Sequence, residues 1–454
     1  MFEQFSDKAL TRAIRDEFQT DGLVFSKQID IQTNGGTVHL SGSVPTLQAK
    51  EWIQALTEAI RGVKVIENQL KVRPDTFRSD GEIERNIMAA LFFDPATNLA
   101  SLAVKVKDGA ATLTGEVESW QKKELCAWVV KGVKGLREIK NEISFVYQQG
   151  RPDEEIAQEI KHRLEQDIWV DDALITVEVK AGQATLSGLV SSVADQSRAG
   201  DKAWVEGVSK VDTHGLIVEP RTQKAMLRES NDMLKSDEVV QRAIVDAFFY
   251  DPRIQVAMPG VQVKGGQVVL TGAVDNLKAR QAAEQTALNT IGVSRVENYL
   301  QVRPADRLND HDVAQNVRQA LLWSPNVDRH PIVISCREGL IRLDGSVSSH
   351  YVKAQAEDVA SRTRGVVGIK NNLTIDQRSR WLADETVRQA IECRLHWSAF
   401  LEPDQITVTV KEGKAILSGE LDTWSQHETV VMKALTSGAK GVVSHINVGK
   451  ARKS

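Results

Sequence analysis

Six aspartates recur along this 454-residue chain, at Asp7, Asp80, Asp153, Asp237, Asp310 and Asp384. A repeated carboxylate invites an acid–base reading, but its setting is structural. Each aspartate stands at one fixed distance before a glycine of its own, as Asp7 does before Gly42 and Asp80 before Gly115. Apolar residues follow it at +3, +7 and +11. Ile83, Ile87 and Leu91 are one such set, and Val240, Ile244 and Phe248 another. That is one helical stripe facing a core. An aspartate at its start reads as a helix cap, accepting a first-turn N–H and facing the positive end of the dipole. No residue is assigned to catalysis. The nine histidines do not cluster at metal-ligand spacing. There is no His-Glu-x-x-His, Cys-x-x-Cys, phosphate-binding Gly-x-x-x-x-Gly-Lys or nucleophile elbow. No metal and no cofactor are expected. Cys126, Cys336 and Cys393 are widely spaced and odd in number, which reads as free thiols in a reducing compartment. Cys126 and Cys336 take core positions, and Cys393 takes the outer face of a helix.

The glycines define the elements that hold these positions. Gly42, Gly115, Gly188, Gly272, Gly345 and Gly419 recur at a nearly constant interval, lengthened once before Gly272, so the chain is six copies of one unit. After each aspartate-led helix comes apolar–polar alternation, as in Ile175, Val177 and Val179. A hairpin turn follows at a second recurring glycine: Gly36, Gly109, Gly182, Gly266, Gly339 or Gly413. The second strand ends at Leu40, Leu113, Leu186, Leu270, Leu343 or Leu417, and the anchor glycine lets the chain leave the sheet at a tight bend. Thr46, Ser119, Ser192, Asn276, Ser349 and Thr423 cap a second helix, and a third strand completes the order α-β-β-α-β. The fold class is α+β: six tandem domains, each a three-stranded mixed sheet with two helices on one face. The boundaries read as 1–75, 76–149, 150–221, 237–305, 306–379 and 380–449, with a linker over 222–236 and a disordered tail over 450–454. In the linker, Met226, Leu227, Ser230, Met233 and Leu234 would share one helical face. The steps from Gly42 to Gly272, Gly115 to Gly345 and Gly188 to Gly419 are equal to within one position, which fits duplication of a triplet. A copy of about 73 residues is small for one core, so contacts between copies would help. The expected picture is linked small domains.

Composition narrows the function classes. The chain is 41% hydrophobic and 26% charged with a net charge of −4, an ordinary folded protein without the basic surplus of a nucleic-acid binder. The N-terminus lacks the positive start and apolar run of a secretory leader, and no segment approaches the roughly 20 apolar residues of a membrane span. The expected location is cytoplasmic, or periplasmic if a leader has been removed.

The order of elements, with the Leu-(Ser/Thr)-Gly-x-Val motif and a later Gly-Val…Asn-x-Leu segment, resembles the BON domain. The second motif stands as Gly62-Val63…Asn68-Gln69-Leu70, Gly292-Val293…Asn298-Tyr299-Leu300 and Gly365-Val366…Asn371-Asn372-Leu373. The resemblance covers nearly the whole chain, departing at Thr213, where copies 1, 2, 4 and 5 hold Asn, and at Asp344 before its anchor glycine. It implies an α-β-β-α-β fold and a non-enzymatic binding role. The ligands it suggests are phospholipid membranes or, in one branch, potassium with a partner domain. Many members of the family are periplasmic, with one or two copies.

Residues at +12 and +13 of the first helices fall outside the apolar stripe: Phe92 and Phe93, Phe249 and Tyr250, Leu322 and Trp323, His396 and Trp397. Phe93, Tyr250, Trp323 and Trp397 are the candidate contacts with a neighbouring copy, a partner chain or a membrane. The expected function is a binding or scaffold protein acting through self-association or a protein partner. A peripheral phospholipid-binding protein of the envelope or stress response is the alternative.

Overall fold

A computed structural model describes residues 6–20, 28–74, 77–97, 101–145, 150–170, 172–220, 236–254, 259–304, 308–324, 327, 331–348, 350–375, 383–402 and 405–448. The linker read over 222–236 lies outside them except for Ser236, as does the tail over 450–454. Twelve helices stand among the described residues, two per copy. They are α1 (Asp7–Thr20), α2 (Leu47–Glu58), α3 (Asp80–Phe93), α4 (Trp120–Lys131), α5 (Asp153–Glu165), α6 (Val193–Lys202), α7 (Asp237–Phe249), α8 (Leu277–Leu288), α9 (Asp310–Trp323), α10 (His350–Ser361), α11 (Asp384–His396) and α12 (Trp424–Thr436).

Copy 2 illustrates how sequence makes the unit. The stripe of α3 buries Ile83, Ile87 and Leu91. The strands Ala103–Lys107 and Ala110–Val117 pair antiparallel, with Val104 opposite Leu113. The third strand, Glu138–Phe145, runs parallel to the second and puts Asn141 opposite Leu113. The hairpin's second strand is therefore central, and a crossover through α4 delivers its parallel neighbour. Both helices cover one face, α3 over the first strand and α4 over the third. Second-helix caps form where the sequence put them: Ser119 Oγ accepts from Lys122 N at 3.3 Å, and Asn276 Oδ1 from Ala279 N at 2.7 Å. Ser349 lies outside the described residues.

Two readings need correction. The six aspartates are not helix caps. Each is the first residue of its helix, and the cap position before it holds Ser79, Pro152, Ser236, Asn309 or Ala383 in copies 2 to 6. The carboxylate turns instead to the hairpin of its own copy. Asp80 Oδ2 accepts from Asp108 N at 2.8 Å and Oδ1 from Gly109 N at 2.9 Å. The same pair of bonds forms from Asp7 to Gly35 and Gly36, Asp153 to Ala181 and Gly182, Asp237 to Gly265 and Gly266, Asp310 to Glu338 and Gly339, and Asp384 to Glu412 and Gly413. The turn makes this possible. Asp108 (φ 52°) and Gly109 (φ 75°) are both left-handed, so their two N–H groups converge into a nest for an anion. The aspartate fastens helix to hairpin.

In five copies the anchor glycine does not end the second strand either; in copy 4 the strand Gln267–Thr271 does stop before Gly272. In copy 2 the strand continues through Gly115 to Val117, and Gly115 pairs with Ile143. In those five copies the glycine answers to a close approach. At Gly188 (φ +126°) a Cβ would lie 1.9 Å from the Leu174 carbonyl oxygen, where the first strand enters the sheet. The second strand kinks there to let its neighbour in.

Copy 3 explains its own departure. Asn141 Oδ1 accepts from Ile143 N, and Asn68, Asn298 and Asn371 repeat the bond. With Thr213 at that place, the third strand bulges between Asp212 and Gly215, and Gln196 Nε2 reaches across to the Leu216 carbonyl at 2.9 Å.

The copies are not loosely linked. The cores of copies 1 and 3 form one continuous cluster. Leu47 of copy 1 packs on the core of copy 2, and Leu277 of copy 4 is buried in that of copy 5.

Candidate functional site

Those two leucines begin the second helices of their copies and show how neighbours join. The start of one second helix meets the end of the next. Between copies 1 and 2, α2 packs on α4 and Glu51 pairs with Lys131. Between copies 2 and 3, Trp120 stacks on Trp204 with ring centroids 4.8 Å apart, and Gln121 Nε2 donates to the Trp204 carbonyl at 2.6 Å. Copy 3 returns to copy 1 through α6 on α2 and the shared core. The second triplet repeats the arrangement. Its helix α8 packs on α10 with Lys278 on Asp358 at 2.6 Å, and α10 packs on α12. Ser425 Oγ of copy 6 donates to Asn289 Oδ1 of copy 4 at 2.6 Å. Head-to-tail contacts of this kind close into rings.

The two rings meet through the ends of the first helices, in three like contacts. Between copies 2 and 5, Arg364 N donates to the Phe93 carbonyl at 3.2 Å, and Lys134 Nζ to the Leu322 carbonyl at 2.6 Å. Lys134 and Arg364 are corresponding residues, as are Phe93 and Trp323, so the contact is two-fold. Phe93 and Trp323 lie against each other with centroids 5.8 Å apart. Between copies 3 and 4, Ile291 N donates to the Gln166 carbonyl at 3.1 Å, and Asp167 and Thr290 form an antiparallel bridge. Tyr250 donates its hydroxyl to Glu159, and the Arg163 guanidinium lies 4.1 Å from the Tyr250 ring centroid. Between copies 1 and 6, Arg61 N donates to the Trp397 carbonyl at 2.8 Å, Ala399 N to the Ala59 carbonyl at 2.9 Å, and Ile60 bridges Ser398. Exchanging copies 1, 2 and 3 with 4, 5 and 6 maps these contacts onto one another. The pattern is that of two three-membered rings joined by two-fold contacts.

The contact of copies 1 and 6 holds a buried ion cluster that the sequence did not reveal. Arg394 Nε and Nη2 each donate to Glu17 at 2.8 Å, and Lys433 Nζ reaches Glu17 Oε1 at 3.0 Å. Burial alone would raise the Glu17 pKa; Lys433 and Arg394 outweigh it and lower it to about 2. Glu17 and Arg394 are both at +10 of their first helices, and the same place holds Ala90, Ala247 and Ala320 in copies 2, 4 and 5. Small residues at +10 in three copies were the available sign that this position faces a neighbour.

Phe93, Tyr250, Trp323 and Trp397 are all half-buried, and each stands at one of the three contacts between rings. Tyr250 and Trp397 also pack on the joint core of copies 1 and 3. Their neighbours at +12, Phe92, Phe249 and Leu322, are exposed. The glycines and aspartates lie within single copies, at the kinks and clasps already described. Among the described residues no group of histidine, cysteine, aspartate or glutamate is arranged to hold a metal, and no helix is long and apolar enough to cross a membrane. Cys126 is buried, and burial pushes its thiol up to about 12. Cys336 is half-buried and points its thiol at Asp310, while Cys393 is exposed.

Comparison with known proteins adds to this geometry. The model of a family described as "BON domain" matches residues 6–74, 79–147, 152–220, 236–304, 309–377 and 383–450. Osmotically-inducible protein Y of Escherichia coli (strain K12) is 31% identical over 143 residues, 30% of this chain and 71% of that protein. These relatives indicate no catalytic family. Two solved structures of CdsD, a structural protein of the type III secretion system of Chlamydia trachomatis, align at 16% and 13% identity. They cover 45% and 48% of this chain and 96% and 99% of their own. Each has a TM-score of 0.13, too low to carry an argument. The cytoplasmic location expected from the sequence is corrected by the likeness to Osmotically-inducible protein Y, which conflicts with it. The residues at the start of this sequence are no guide to compartment.

Proposed function

Because the chain belongs to the BON domain family, whose six matched segments span most of its length, we propose that it is a non-enzymatic scaffold that closes on itself and binds a protein partner through its outward sheet faces. BON domains are binding and scaffolding units. The observation that carries this reading is the use made of the helices. First-helix ends join the rings and second helices build them, so the contacts that would join separate chains are engaged between copies of one chain. The sheet faces opposite the helices stay open. They carry Ile217 and Tyr299, each 63% exposed, and Val333 at 67%. Repeated weak contacts on several such faces add up to avidity without any reactive group.

Size-exclusion chromatography with light scattering tests the closure, and co-sedimentation with anionic phospholipid vesicles tests the alternative ligand. The expected results are a monomer of 50.2 kDa and a protein that stays in the supernatant. A defined dimer or larger species contradicts the closed scaffold. Pelleting with vesicles that is lost in a Tyr299→Asp, Val333→Asp variant replaces it with the membrane reading.

A further inference from the structure

The filled contact between copies 1 and 6 shows what its counterpart between copies 3 and 4 lacks. Arg394 and Lys433 of copy 6 hold the carboxylate of Glu17 from copy 1. The step that carries Gly419 onto Gly188 carries these two cations onto Arg163 and Lys202 of copy 3. The step that carries Gly42 onto Gly272 carries Glu17 onto Ala247 of copy 4. Both cations are kept and the carboxylate is gone. The arginine is also held alike. Arg394 Nη1 donates to the Lys433 carbonyl at 3.2 Å, and Arg163 Nη1 to the Lys202 carbonyl at 2.8 Å. Where Arg394 uses Nε and Nη2 on Glu17, Arg163 has no carboxylate within ion-pair distance among the described residues.

A cavity of about 240 Å³ occupies this place, between α5, α6, α7 and α8. Arg163, Lys202, Gln166 and Ala247 line it. Gln166 Oε1 is buried there without a hydrogen-bond partner. Lys202 and Arg198 share Asp167, at 3.0 and 2.6 Å, which leaves Arg163 as the cation without a counter-ion in contact. Asp201 and Asp246 line the same cavity, and burial raises the pKa of both.

We propose that this cavity binds a small carboxylate-bearing molecule, whose carboxylate takes the place on Arg163 that Glu17 takes on Arg394. The two acids in the cavity favour a ligand that also carries an ammonium group over one with a second carboxylate. β-Alanine, acetate, glutarate and inorganic phosphate are titrated into the full chain by calorimetry. Binding of β-alanine is expected to exceed that of glutarate, with acetate binding as the minimal fragment. Ala247→Glu supplies the missing carboxylate from the protein and is expected to weaken β-alanine binding by at least about tenfold. Arg163→Gln keeps a donor for the Lys202 carbonyl and is expected to do the same, so the test survives if Ala247→Glu does not fold. The inference is overturned if neither β-alanine nor acetate binds the native chain, if phosphate binds and the carboxylates do not, or if binding persists undiminished in a folded variant.

Discussion

Glu17 is the residue on which the contact of copies 1 and 6 turns. Its carboxylate stands between Arg394 and Lys433, all three out of water. Removing one member of a buried ion cluster leaves the others without counter-charge, at a cost of roughly 3–5 kcal/mol. Glu17→Ala should lower the unfolding free energy by about that much in a denaturant titration, whereas an effect within experimental error would mean that the cluster is not formed. The pH dependence has a definite sign. The folded-state pKa of Glu17 is depressed, from 4.5 to about 2, so its contribution is fully present above the unfolded value. It is lost as pH falls from 4.5 towards 2. The native protein should therefore lose stability faster across that window than Glu17→Ala. Little of this was legible in sequence. A charge at +10 reads as a solvated position unless the partner helix, 377 residues away at Arg394, is known.

Within the elements, what the sequence made plain was local. The helical stripe, the alternating strands and the caps of the second helices depend on residues a few positions apart, and among the described residues they stand as read. The two misreadings share one cause. The aspartate clasp joins residues 28 and 29 apart, and in five copies the glycine kink answers to a carbonyl just before the preceding strand. A residue at a helix start and a glycine near a strand end have familiar local explanations, and those concealed the longer contact. Asp80→Asn discriminates between them. It keeps one acceptor oxygen and the helix, and it removes the charge and the second bond to the turn. Hydrogen exchange at Asp108 and Gly109 should quicken, with a loss of about 1–2 kcal/mol in stability. Unchanged exchange at those amides, with fraying of the first turn of α3, would restore the cap.

For the molecule as a whole, the duplicated triplet was legible in the matching steps from Gly42, Gly115 and Gly188 to Gly272, Gly345 and Gly419, but its consequence was not. A repeat period says nothing about whether the copies form a row or a closed body. That depends on mixed surfaces: half-buried aromatics at +13, alanines at +10, and backbone bonds such as Arg61 N to the Trp397 carbonyl. The aromatics at four of the six helix ends were the visible trace, because a row of independent domains gives them nothing to cover. Closure also brings the last copy back to the first, so the whole chain acts as one unit. Small-angle X-ray scattering on the full chain tests this claim most directly. A single compact body of this length has a radius of gyration of about 22 Å, whereas six separate domains in a row reach roughly 50 Å. The account predicts a value near the first figure; a value near the second would contradict it.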